Sequence, residues 1–190
     1  MTDKIKILAI SGSTRKSSSN HLLIKAIADL AADKFEVSLF EGLTDIPHFN
    51  PDLDNGNAPA QVVDFRKQLD AADAILICTP EYAIGVPGTL KNAVDWTVSS
   101  MQFSKKPVAL VTAGTSGFKA HQSLLGTLLI IEAKITNETQ LVISGVKTKM
   151  NEQGIITNEE TLDGVNKLIA SLAGIVDNSV TELLPAPTLF

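Results

Sequence analysis

Residues 5–20 read IKILAISGSTRKSSSN: a nearly continuous apolar run, Ile5–Ile10, breaks into a loop of six hydroxyls, one glycine, two bases and no acid. Apolar residues without alternation are expected of a strand covered on both faces, as in a parallel sheet. Ala74–Thr79 repeats that pattern, and Val108–Thr112 and Leu141–Ile143 are shorter versions. Val37-Ser38-Leu39-Phe40 alternates and reads as a strand near an edge. Amphipathic stretches separate these runs. Leu23, Ile24, Ile27, Leu30 and Ala31 share one helical face between Asn20 and Ala32. A second helix is expected over Ala60–Ala71, and a third from Pro87, which suits a first turn, to about Ser99. Leu124, Leu125, Leu128 and Leu129 mark a fourth, and Asn158–Asn178 a fifth.

Strand–helix alternation of this kind means helices on both faces of a parallel sheet. Five strands and five helices suit the flavodoxin-like doubly wound α/β fold, strand order 2-1-3-4-5. The 190 residues are expected to form a single domain, 1–190. The net charge of −5 and scattered bases, paired only at Arg15-Lys16 and Lys105-Lys106, argue against a nucleic-acid face. Lys105-Lys106 reads as a solvated turn. One cysteine, Cys78, allows no internal disulfide, and His21, His48 and His121 lack metal-ligand spacing, so no metal is expected. The N-terminus, Met1–Lys4, shows no signal-peptide layout, and no apolar stretch is long enough for a membrane span. A cytoplasmic setting is the expectation. Residues 42–59 exceed the usual loop length; Ile46, Phe49 and Leu53 give that segment something to bury, so it is expected to be ordered. The tail, Leu183–Phe190, carries Pro185 and Pro187 and is expected to pack on the surface or on a partner.

Ligands of open parallel sheets sit beyond the carboxyl ends of the strands, where the first loop falls. The helix after it offers unpaired N–H groups and about half a positive charge. Ser13, Ser18 and Ser19 add hydroxyl donors, Asn20 an amide or a helix cap, and Arg15 a forked, permanent cation. This chemistry suits a phosphate. The segment is neither GxxxxGK[ST] nor GxGxxG, which removes the common triphosphate and dinucleotide loops. A cysteine-phosphatase site needs a thiol beside the loop, whereas Cys78 reads as a small buried hydrophobe. A terminal phosphomonoester, such as that of FMN, remains.

The third strand leads into TPEYAIGVPGTLKNAVDW, residues 79–96, whose glycines and prolines dictate the backbone path. Pro80, Glu81, Tyr82, Ala83 and Ile84 could set peptide N–H groups along a flat heteroaromatic ring and stabilise negative charge gathered there on reduction. The fourth strand leads into TAGTSGFKA, residues 112–120. Thr112 and Thr115 add donors, and Gly114 and Gly117 permit close backbone approach.

Together these loops resemble the NADPH-dependent FMN reductase family, which includes azo, quinone and chromate reductases. The matching residues are Gly12-Ser13-Thr14-Arg15 with Ser18 and Asn20, Pro80-Glu81-Tyr82, Pro87-Gly88, Leu90-Lys91-Asn92-Ala93 and Asp95-Trp96. Ile46-Pro47 through Asp52-Leu53 also looks like the family's long second loop. The resemblance covers roughly residues 5–135. It implies bound FMN, NADPH or NADH as donor, a small planar electron acceptor, and a homodimer or homotetramer with the flavin near a subunit interface. Hydride would pass to flavin N5, so no catalytic side chain is expected. Two positions depart from the family: Ala83 stands where Asn is common, and the fourth-strand loop reads Gly-Thr-Ser-Gly rather than paired glycines.

His48 and His121 could meet donor or acceptor, although solvent-exposed histidines without a role are the simpler expectation. Glu81 could serve as a general acid, a structural salt bridge or an interface contact. Rival functions are a flavin reductase feeding a partner oxygenase, a flavodoxin-type electron carrier and a flavin-free binding domain. The first loop is unlike the carrier type, Thr-x-Thr-Gly-Asn-Thr.

Overall fold

The computed structural model describes residues 4–15 and 17–188. Residues 1–3, Lys16 of the basic pair and the last two tail residues lie outside them. Five strands, β1 (Ile5–Ser11), β2 (Phe35–Phe40), β3 (Ala74–Thr79), β4 (Val108–Gly114) and β5 (Gln140–Ser144), form one parallel sheet in the order β2-β1-β3-β4-β5. The alternating strand β2 lies at an edge, as its pattern predicts.

The continuous apolar runs supply two cores. On one face Ile7, Ala9, Leu76, Cys78, Ala109 and Val111 pack with α1 (Ser19–Leu30) and α6 (Glu159–Val176). On the other Leu8, Ile10, Ile75, Ile77 and Leu110 meet α2 (Ala60–Ala71), α3 (Gly88–Asp95) and α4 (Phe118–Ile130). Chain leaving β1 therefore turns to the opposite face from chain leaving β3. Their loops part at the sheet's carboxyl edge and open a crevice there.

Four features differ from what the sequence leads one to expect. The helix expected to reach Ser99 ends at Asp95, continues as turns, and has Pro87 at its cap rather than inside it. A sixth, short helix, α5 (Val146–Lys149), follows β5. In the long segment Ile46 is buried with Leu43, but Phe49 and Leu53 are exposed. Lys106 is half-buried, its ammonium donating to the Ala72 carbonyl at 2.7 Å at the end of α2, which a solvated turn would not require.

The long segment is ordered by side chains from α3 and its exit. Asn92 Nδ2 and Trp96 Nε1 both donate to the Pro47 carbonyl, at 2.9 and 2.8 Å, while Asn92 Oδ1 accepts from Phe49 N at 2.7 Å. Arg66 pairs with Asp54 at 2.8 Å and also donates to the Trp96 carbonyl, and Ser99 donates to the same carboxylate. These bonds hold the Asp54 carboxyl below its usual range, through Ser99 first and then Arg66.

Candidate functional site

The crevice is a cleft of about 330 Å³ whose walls come from the loops after β1, β3, β4 and β5. Its floor is the start of α1. Ser18 is the N-cap, in extended conformation, and its Oγ accepts from Asn20 N at 3.1 Å. The first turn of α1 holds no acid to offset the helix dipole at the cleft, and its His21 N–H donates to the Ser18 carbonyl at 3.1 Å. Ser17 and Ser19 line the same wall, with Arg15 beside them. Arg15 is exposed and forms no ion pair with another described residue.

Two buried side chains shape this floor. Ser13 is 5% exposed; its N–H donates to Ser11 Oγ at 3.3 Å and its own Oγ accepts from Arg15 N at 3.4 Å, curling the loop tightly. Asn20 is 3% exposed, and its Nδ2 donates to the Ala113 carbonyl at 3.2 Å, tying α1 to β4. Its Oδ1 is buried with no partner among the described residues, although Asn20 lines the cleft. A buried acceptor left in this state marks a place where a ligand donor belongs. Gly12 is required by the close approach of the chain leaving β1 to the end of its parallel neighbour β3. Its N–H donates to the Cys78 carbonyl at 2.8 Å, and a Cβ there would lie 2.8 Å from Thr79 Cβ.

From β3, Pro80, Glu81 and Tyr82 line the opposite wall. Tyr82 and Gly85 then exchange backbone hydrogen bonds of 3.0 and 2.9 Å around Ala83 and Ile84, whose φ values are 48° and 64°. This is a two-residue turn of the kind that favours Asn-Gly, made here from residues that resist left-handed geometry. Ala83 and Ile84 project outside the cleft, Ile84 being 71% exposed. Glu81 accepts from Ala120 N at 2.8 Å and Gly117 N at 3.3 Å, capping α4. Those backbone bonds, Ala120's first, hold its carboxyl below the usual range. It is therefore an ionised helix cap, which corrects the general-acid and salt-bridge readings alike.

From β4, Ala113, Gly114 and Thr115 line the cleft, but Thr112 and Gly117 do not. Thr112 is fully buried and its hydroxyl bonds His121 Nδ1 at 2.9 Å, so it points into the core rather than toward a ligand. His121, expected at the surface, is 5% exposed. Its Nε2 lies 2.6 Å from Gln140 Oε1, an acceptor, which puts the ring proton on Nε2 and makes Thr112 the donor to Nδ1. Burial pushes the His121 pKa down. Gly117 (φ 118°) is the left-handed N-cap of α4. His48 is exposed in the long segment. Cys78 is fully buried and burial pushes its thiol up, as expected of an inert hydrophobe.

The sequence reading missed the fourth contributor, Gly145–Thr148 after β5. Its only sequence signal is a glycine directly following a strand on the ligand edge, with Lys147 two residues on.

Fold and cleft define a flavodoxin-like α/β protein with a polar crevice at the switch point of its sheet. The sequence matches the family model for NADPH-dependent FMN reductase over residues 5–148. It is 32% identical over 177 residues to an NAD(P)H-dependent FMN reductase of Pseudomonas aeruginosa, covering 90% of this chain and 95% of that one. It is 29% identical over 170 residues to a quinone reductase of Escherichia coli, covering 86% and 90%. Among solved structures it resembles a flavoenzyme NAD(P)H:(acceptor) oxidoreductase from Paracoccus denitrificans, with TM-score 0.75, 26% identity and coverage of 92% and 98%. An archaeal flavodoxin, 12% identical with TM-score 0.60 and coverage of 91% and 99%, shares the fold. The chain belongs to the NADPH-dependent FMN reductase family, and its activity is that of an FMN-dependent NAD(P)H oxidoreductase.

Proposed function

We propose that the FMN phosphate lies on the N-terminus of α1, held by Ser13, Arg15, Ser18, Ser19 and Asn20, and that the flavin reduces a small quinone-like acceptor. The observation carrying this is the floor of the cleft: an acid-free helix N-terminus, serine hydroxyls, Arg15, and the buried, unpartnered Asn20 Oδ1. The set fits FMN on chemical grounds. N–H, hydroxyl and guanidinium groups match phosphate oxygens, and Asn20 Oδ1 matches a ribityl hydroxyl donor.

Bound flavin supplies the hydride and electron chemistry, and the protein positions it. Pro80, Glu81 and Tyr82 border the ring on one side, and Gly114 and Thr115 on the other. Because Glu81 is committed to α4, it fixes the two ring-side loops against each other rather than moving a proton. Ala83 and Ile84 flank the mouth, while Thr112 and Gly117 act at one remove by setting the β4 loop. The quinone-like acceptor is supported by the quinone reductases among the relatives.

The whole chain acts as one domain, working in the cytoplasm as a homodimer or homotetramer. The oligomer is supported by exposed Tyr82 and Ile84 on the β3 loop and exposed Phe118 at the start of α4, which Glu81 joins. No helix among the described residues is long and apolar enough to cross a membrane.

Titration of flavin-depleted protein with FMN and with riboflavin tests the site. FMN should bind more tightly, and Arg15→Ala should weaken FMN about tenfold or more while sparing riboflavin. Anaerobic NADPH or NADH should bleach the flavin spectrum. An Arg15→Ala protein that holds FMN as tightly as the parent would overturn the assignment.

A further inference from the structure

A phosphomonoester carries roughly −1.5 to −2 charges at neutral pH. Arg15 contributes one positive charge and the end of α1 about half, so these two alone leave part of the phosphate charge unmatched. Glu81, the acid on the cleft wall, is turned to the N–H groups of α4. Among the described residues, the cleft's remaining charged side chain is Lys147, across from α1 on the turn after β5. We propose that Lys147 is the second cation of the phosphate site, closing it from the fifth strand, a role that rests on the phosphate reading above.

The turn that carries Lys147 is built rather than loose. Gly145 (φ 65°) reverses the chain, and its N–H donates to the Thr115 carbonyl at 3.3 Å, joining the turn to the β4 wall. Ser144 Oγ donates to the Ser116 carbonyl at 3.0 Å, a second tie to the same loop. Thr148 closes the turn, its N–H and Oγ both donating to the Gly145 carbonyl at 2.9 Å. Val146, 4% exposed, anchors the turn in the core shared by α1 and α6. Beyond it, Thr157 N donates to the Lys149 carbonyl at 2.9 Å. The backbone bearing Lys147 is thus fixed from both sides. Its side chain forms no ion pair with another described residue. Lys149, two residues on, does not line the cleft and serves as an internal control. The unpartnered Asn20 Oδ1 opposite gives independent reason to place a ligand between the two walls.

Lys147→Met and Lys149→Met proteins, full length and stripped of flavin, are titrated with FMN and riboflavin at low and high salt. Lys147→Met should weaken FMN about tenfold, leave riboflavin unchanged, and show a smaller loss at high salt. Lys147→Arg should restore FMN binding, and Lys149→Met should match the parent. The proposal is overturned if Lys147→Met shifts both flavins equally, shifts neither, or raises only the KM for NADPH. Arg15→Ala separates the two levels. If it lowers the FMN-to-riboflavin ratio and Lys147→Met does not, Lys147 alone is misassigned; if neither lowers it, the phosphate reading falls too.

Discussion

Replacing Ala83-Ile84 with Asn-Gly should raise stability. Both residues sit at positive φ in the Tyr82–Gly85 turn, at 48° and 64°. Left-handed geometry costs an ordinary L-residue about 1–2 kcal/mol, whereas Asn tolerates it and Gly adopts it without steric cost. Against this, Gly loses about 0.5–1 kcal/mol more chain entropy on folding. Little burial is forfeited, because Ile84 is 71% exposed. The net gain is about 1–2 kcal/mol, equivalent to about 3–6 °C in Tm for a chain of this size. Calorimetry of the flavin-depleted protein measures it. Ile84→Ala is the control: alanine keeps the strained backbone, so its Tm should move by less than about 2 °C. A double variant that melts at or below the parent temperature, or an Ile84→Ala protein that gains as much, would refute the strain argument.

Three further outcomes follow from contacts elsewhere. Asn92→Ala removes the bonds to Phe49 N and the Pro47 carbonyl; it should cost about 2 kcal/mol in urea unfolding and speed proteolysis within residues 42–59 without changing FMN affinity. Gly12→Ala forces a methyl group against Thr79 and should cost about 1–3 kcal/mol and weaken FMN binding, read by melting and titration. His121 has a folded pKa below its ordinary value of about 6.5, so the unfolded chain binds its proton first as pH falls. Stability from this group is complete above that ordinary value and declines as pH drops toward the folded pKa. Urea midpoints at about pH 7.5 and 5.5 should therefore differ less in His121→Gln than in the parent.

The sheet was legible because its central strands β1, β3 and β4 bury both faces and read as short apolar runs, while the edge strand β2 shows itself by alternation. The α1 floor was legible for a similar reason: Ser18 and Arg15 lie within a few residues of the strand that positions them. What escaped depends on partners distant in sequence. His121 reads as a surface residue until Thr112 and Gln140 enclose it, and Glu81 as an acid until the N-terminus of α4 arrives. Phe49 and Leu53 look like anchors, yet the long segment is fastened mainly through polar contacts to Pro47 and Asp54. The β5 turn was missed because Lys147 acquires meaning only when five strands are laid side by side.

The cleft draws its walls from four segments spread between Ser13 and Thr148, so no fragment lacking β4 or β5 contains it. Whatever fills it recognises only the finished sheet and thereby pulls the whole folding equilibrium. At a free concentration a hundred times its Kd, such a guest adds about 2.7 kcal/mol against global unfolding. Vitamin supply would then set how long each molecule survives as well as how fast it turns over.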